Sequence, residues 1–213
     1  MAVGKNAFIL AAFAVTLAWT AVLAVPDNRT HIWTFGSKSD LSLIVKSPEG
    51  RFALVNPSTS SSFYSELGEK LPFYQHRIDL VILTKSKSSG PNPSLENLKK
   101  HYEVGQVMGE SDSSSITEGN KRDQYGEKKL RWSTLVWQTF RLPGEDGVVR
   151  LSSGSLSLLF VTRGSADLWQ ALPEWDKVTY LVGPIGGAKS DDQVLTERFQ
   201  PQFMLHEGSE IVW

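Results

Sequence analysis

The residues best suited to chemistry form a short basic run, Lys85, Ser86, Lys87, Ser88, Ser89 and Gly90, directly after the apolar stretch from Ile78 to Thr84. Ammonium groups, hydroxyls and a glycine at the end of a buried strand suit the binding of a phosphate or carboxylate. The same residue types also suit a solvated loop with no ligand. A second run, Gly36, Ser37, Lys38 and Ser39, offers one more cation. Metal chemistry is poorly supplied. There is no cysteine, so neither thiolate nor disulfide is available. The four histidines, His31, His76, His101 and His206, lie far apart in sequence and read as ordinary surface or strand-edge residues. Asp40, Asp79, Asp167 and Asp191 remain as scattered carboxylates. Asp191 and Asp192 read as a helix start, where the positive end of the macrodipole favours acid.

Composition sets few limits. The chain has 213 residues, with 22 Lys+Arg against 23 Asp+Glu, so no global charge draws it to nucleic acid. Lys99 with Lys100, Lys121 with Arg122, and Lys128 with Lys129 read as solvated faces. The length suits one domain plus an appendage.

The appendage is N-terminal. Residues 7–25 carry no charge and only Thr16 and Thr20 as polar interruptions, so the expectation for residues 1–27 is a membrane anchor. A cleaved signal peptide is the alternative, with Val22, Leu23 and Ala24 as its small-residue site. The apolar run exceeds the usual h-region of ~7–15 residues, which favours a retained helix. Lys5 on the N-terminal flank places the remainder outside the cytoplasm, as a single-pass protein.

From residue 30 onward the pattern turns to short β-type runs: 31–35, 41–46 and 51–56, the last two joined by a Ser47, Pro48, Glu49, Gly50 turn. A helix is expected over 62–73, a buried strand over 78–84, a helix over 93–102 and a strand over 103–108. Residues 109–129 are polar and read as a loop or insertion. Strands follow at 133–142, 147–151 and 155–162, then a helix at 166–172, a strand at 178–182, a helix at 191–199 and a strand at 202–205. Trp132 and Trp137 read as core side chains of one strand rather than base-stacking platforms. Two similar βββαβαβ halves in one domain, 30–213, predict an α/β (α+β) fold: a four-layer αββα sandwich behind an N-terminal transmembrane helix.

Several of these segments resemble one family. The stretch from His31 to Gly50 is similar to the opening strand, glycine loop and hairpin of the soluble C-terminal domain of ComEC, the competence channel protein. Arg77 to Thr84 resembles its I-D-L-L-V-L-T strand, and Tyr102 to Val107 its Y-x-V-G-x-V strand. Gly154 to Val161 and Val178 to Gly187 fit two later strands. The resemblance covers most of residues 15–206 and implies a metallo-β-lactamase-like sandwich. It also places Lys38 near the Lys85 turn.

The resemblance breaks at the ligands. Where that family has H-x-H-x-D-H after the threonine, this chain has Lys85, Lys87, Ser89 and Gly90 at the ligand positions. Gly164 stands for the bridging aspartate, and Pro184 and Ile185 for a later histidine pair. Asn56, Pro57 and Ser58 replace the D-G-G turn. A protonated ammonium does not coordinate a cation and repels it. The expectation is therefore a domain without metal or other cofactor, not an enzyme. Its role would be binding or accessory in DNA uptake or the cell envelope, with a protein partner or an anion such as DNA phosphate at Lys85, Lys87, Ser89 and Lys38. Two alternatives stay open: a metal-dependent hydrolase or nuclease with displaced ligands among Asp40, Asp79, Asp167 and Asp191, and a remnant of a split channel.

Overall fold

Alternation within single strands sets the layering. In β1 (His31–Phe35), Ile32 points to one face while Trp33 and Phe35 point to the other, and all three are buried. The same split recurs in β2 (Ser42–Lys46) and β3 (Phe52–Val55), so these strands need cover on both faces. The computed structural model supplies it. It describes residues 8–13, 15–16, 27–36, 40–85, 91–109, 126–142, 144, 146–163, 165–175, 177–183, 189–206 and 208–213.

The remaining elements follow in chain order. Helix α1 (Ser61–Lys70) leads to β4 (Arg77–Ile82), and α2 (Pro93–His101) to β5 (Glu103–Met108). Next come β6 (Gly126–Trp132), β7 (Leu135–Arg141), β8 (Val148–Ser153) and β9 (Leu156–Val161). Helix α3 (Ala166–Ala171), β10 (Tyr180–Val182), α4 (Lys189–Phe199), β11 (Phe203–Leu205) and β12 (Glu210–Val212) complete the chain. One sheet has the order β12-β1-β2-β3-β4-β5 and the other β11-β10-β9-β8-β7-β6. The pairs β3–β4, β4–β5, β9–β10 and β10–β11 are parallel, and each connection that joins them carries one helix.

Three apolar clusters fill the three spaces between four layers. The central one joins Leu43, Val45 and Val55 of the first sheet to Trp137, Leu158 and Phe160 of the second. Phe63 and Leu67 of α1 and Leu95 and Leu98 of α2 close the outer face of the first sheet; Leu168, Trp169, Leu195 and Phe199 close that of the second. Each large apolar side chain so buried contributes about 1.5–3 kcal/mol. Capping fixes where helices begin. Ser60 accepts a bond from the Phe63 amide, Asn92 from the Ser94 and Leu95 amides ahead of Pro93, and Ser165 from the Leu168 amide.

Two strands depart from the sequence expectation. The last residues of the polar segment, from Gly126, form the start of β6 rather than loop. This is an edge strand whose first residues, lysines included, face water, so they pair with β7 through the backbone without an apolar pattern. A turn at Ser133, with φ of 58°, separates β6 from β7. Trp132 and Trp137 thus belong to two paired strands, their rings 6.5 Å apart and edge-to-face. The other addition is β12, too short to show a period, which pairs antiparallel with β1.

Among the described residues no helix is long and apolar enough to cross a membrane. Residues 8–13 and 15–16 are helical, and the rest of the expected 7–25 anchor lies outside the described residues.

Candidate functional site

Strand register gives the first sheet two distinct ends. His31, Lys46, Arg77, Glu103 and Val212 line one of them, where the chain enters from Asp27. Phe35, Ser42, Val55, Ile82 and Met108 line the other. The segments after β1, β3, β4 and β9 converge at this second end, where Thr84 and Thr162 bring the two sheets together.

A buried polar chain occupies the convergence. Asn56, 2 % exposed and with φ of 52°, accepts a bond from the Thr84 amide at 2.8 Å. Its own Nδ2 donates to Thr84 Oγ1 at 2.6 Å. That hydroxyl lies 3.4 Å from Thr162 Oγ1 across the gap between the sheets. The Thr84 carbonyl accepts from the Gly147 amide at 2.6 Å, and Arg141 donates to the carbonyls of Leu83 (2.8 Å) and Gly109 (3.4 Å). Each partner answers another's buried polar group, as a closed interior requires.

Beside it stands an ion pair. The Lys85 ammonium bonds Oδ1 of Asp40, and the Ser58 hydroxyl donates to Oδ2 at 2.5 Å. Ser58 Oγ in turn accepts from the Ser60 amide at 3.2 Å, linking the pair to the N-cap of α1. Gly36 makes the approach feasible. Its φ is +85°, and a Cβ there would meet the Asp40 carbonyl at 2.3 Å. Partial burial pushes the Asp40 carboxyl up, but the bonds from Lys85 and Ser58 and the Lys85 charge outweigh this and hold it below the usual carboxylate range.

Several sequence candidates fall elsewhere. Lys38, Lys87, Ser89, Gly90, Gly164, Pro184 and Ile185 lie outside the described residues. Asp79 sits near the opposite end of β4, accepting from the Phe52 amide at 3.2 Å and paired with Arg77 (3.3 Å) and Arg51 (3.7 Å). It staples β3 to β4, far from Asp40. Asp167 is exposed in the first turn of α3, and Asp191 belongs to α4. His76 and His101 line one groove of about 300 Å³ at the Asp27 end, while His31 bonds Asp27 and His206 follows β11. Among the described residues no three His, Asp or Glu gather as a metal group.

Neither a protein-family model nor a curated protein sequence matches the chain. Its structure is similar to that of a diphosphatase of the PhnP family, with 9% identity, a TM-score of 0.55, and coverage of 87% of this chain and 97% of that one. It is also similar to the metallo-β-lactamase-fold protein YhfI of Bacillus subtilis, with 12% identity, a TM-score of 0.52, and coverage of 87% and 98%. The fold is that of the metallo-β-lactamases.

That fold implies a metal held by imidazoles and carboxylates at the converging strand ends. The described side chains here do not fit one. They offer an amide, three hydroxyls (Ser58, Thr84 and Thr162), and one carboxylate already paired with an ammonium. Sequence reasoning singled out Lys85 and Asp40 separately. It missed their pairing and the role of Asn56, for which the only local signal was an asparagine ahead of proline at a strand end.

Proposed function

We propose that residues 30–213 form a non-catalytic metallo-β-lactamase-like domain, anchored to a membrane through residues 7–25, whose role is binding or accessory. The observation that carries this reading is the Lys85–Asp40 pair: the first residue after Thr84, just beyond β4, is a cation bound to a carboxylate. A positive charge there opposes a metal ion, and the carboxylate is no longer a free ligand. The likeness of the strands to ComEC makes DNA uptake or envelope assembly the natural setting, and an extracytoplasmic domain its arrangement.

The test uses purified full chain incubated with zinc or manganese, desalted, and assayed for bound metal and for hydrolysis of diphosphate esters and DNA. The expected result is no stoichiometric metal and no turnover. Stoichiometric metal with activity overturns the reading. A parallel titration with inorganic phosphate, read at Lys85, asks whether an anion displaces Asp40.

A further inference from the structure

We infer that the end of the sandwich where the chain enters at Asp27 rests on the bilayer interface, with Phe73, Tyr74, Val212 and Trp213 inserted among the headgroups. The inference rests on the reading of residues 7–25 as the anchor. Among the described residues beyond the N-terminal helix, the exposed large apolar side chains are Phe73, Tyr74, Val194, Phe203, Val212 and Trp213. Four of the six lie at this one end. Phe73 and Tyr74, 78 % and 39 % exposed, occupy the turn that leads into Arg77 at the start of β4. Val212 pairs with His31, and Trp213 exchanges both backbone hydrogen bonds with Thr30 at 2.8 Å. Phe203 begins β11, stacked on Tyr180 at the edge of the second sheet, and Val194 sits mid-helix in α4, which covers the outer face of that sheet.

Reach makes the contact geometrically close. Four residues separate position 25 from Thr30, and the five steps between them span at most about 17 Å of extended chain. Trp213 is thereby tethered within an interface width or two of the anchor's end. Tyr and Trp are suited to that depth because one part of the ring is apolar and the other carries a donor. Charge plays a lesser part, since three cations at this end are paired, Lys46 with Asp27 (3.3 Å), Lys70 with Glu210 (3.7 Å) and Arg77 with Glu103 (3.0 Å), which leaves the exposed Arg29 and Lys100. Adhesion by ring insertion predicts little dependence on anionic lipid. It also turns the Asp40–Lys85 end away from the membrane.

The chain contains no cysteine, so single spin labels can be placed cleanly. Full chain carrying Phe13→Cys, Phe73→Cys, Trp213→Cys or Val194→Cys is reconstituted in phosphatidylcholine vesicles, with or without phosphatidylglycerol. Collision with oxygen, which partitions into lipid, is compared with collision with an aqueous nickel chelate. The expected result is a ratio several-fold higher at 13, 73 and 213 than at 194, unchanged by phosphatidylglycerol. A high ratio at 13 with water-like values at 73 and 213 overturns the inference and leaves the anchor standing. Water-like values at 13 with high values at 73 and 213 overturn the anchor and keep the inserted face. Water-like values at all sites overturn both. Shielding of 73 and 213 from both reagents, with spin–spin broadening, shows a second copy on this face and also overturns the inference.

Discussion

The Lys85 ammonium meets the Asp40 carboxylate across the mouth formed by β4 and the loop after β1, with the Ser58 hydroxyl on the carboxylate's other oxygen. The pair is partly open to solvent, the side chains being 33% and 43% exposed. Its contribution to stability is accordingly small. Lys85→Met and Asp40→Asn should each cost about 0.2–1 kcal/mol, and the double variant no more than the larger single. Urea unfolding of the four proteins measures this, and additive losses would show that the pair is not coupled.

Gly36 controls whether that pair forms. Gly36→Ala places a methyl into the Asp40 carbonyl and forces alanine into a positive φ, at a cost of about 1–3 kcal/mol. With Asp40 displaced, Lys85→Met should add nothing further in the Gly36→Ala background. An undiminished Lys85 effect there would contradict the geometry.

Asn56 should matter more than either charge. Asn56→Ala removes the acceptor of the Thr84 amide and the donor to its hydroxyl, leaving buried groups unanswered at about 1–3 kcal/mol. Asn56→Gly relieves the positive φ and loses the same bonds, so it should recover only a fraction of the loss. Thermal melts of both variants separate backbone strain from hydrogen bonding.

Acid should weaken the fold through two aspartates. Asp27 is raised by its partial burial but lowered further by bonds from His31 and Lys46, falling from 3.8 to about 2, and Asp40 is lowered in the same sense. A carboxyl with a depressed folded pKa stabilises fully above its unfolded value and loses that stabilisation as pH falls through the folded one. Stability should therefore fall between about pH 4 and pH 2. Asp27→Asn with Asp40→Asn should flatten that slope in a pH series of urea midpoints, while leaving a lower plateau at neutral pH.

The layers were legible because buried strands declare themselves. Leu80 to Leu83 read as an apolar run, and α1 and α2 show their inward residues at helical spacing. Edge strands announce little, since β6 turns only Leu130 and Trp132 inward and β12 only Ile211. At the site, residue types were informative and partnerships were not. Lysine after Thr84 argues against a metal on chemical grounds alone, but whether it faces Asp40, water or an anion depends on a loop that returns from β1 through Gly36. Asn56 joins Thr84 across 28 positions, a contact no local spacing reveals.

The pairing of β1 with β12 has a consequence for biosynthesis. Trp33 finds its partner Glu210 almost the whole length of the domain later. At ~5–20 residues per second, the outer edge of β1 stays open for on the order of 10–40 s after it emerges from the ribosome. Its exposed amides and carbonyls can then template pairing with another nascent chain. Removing residues 210–213 would make that interval permanent, and the truncated protein should aggregate even though three of its four layers remain intact.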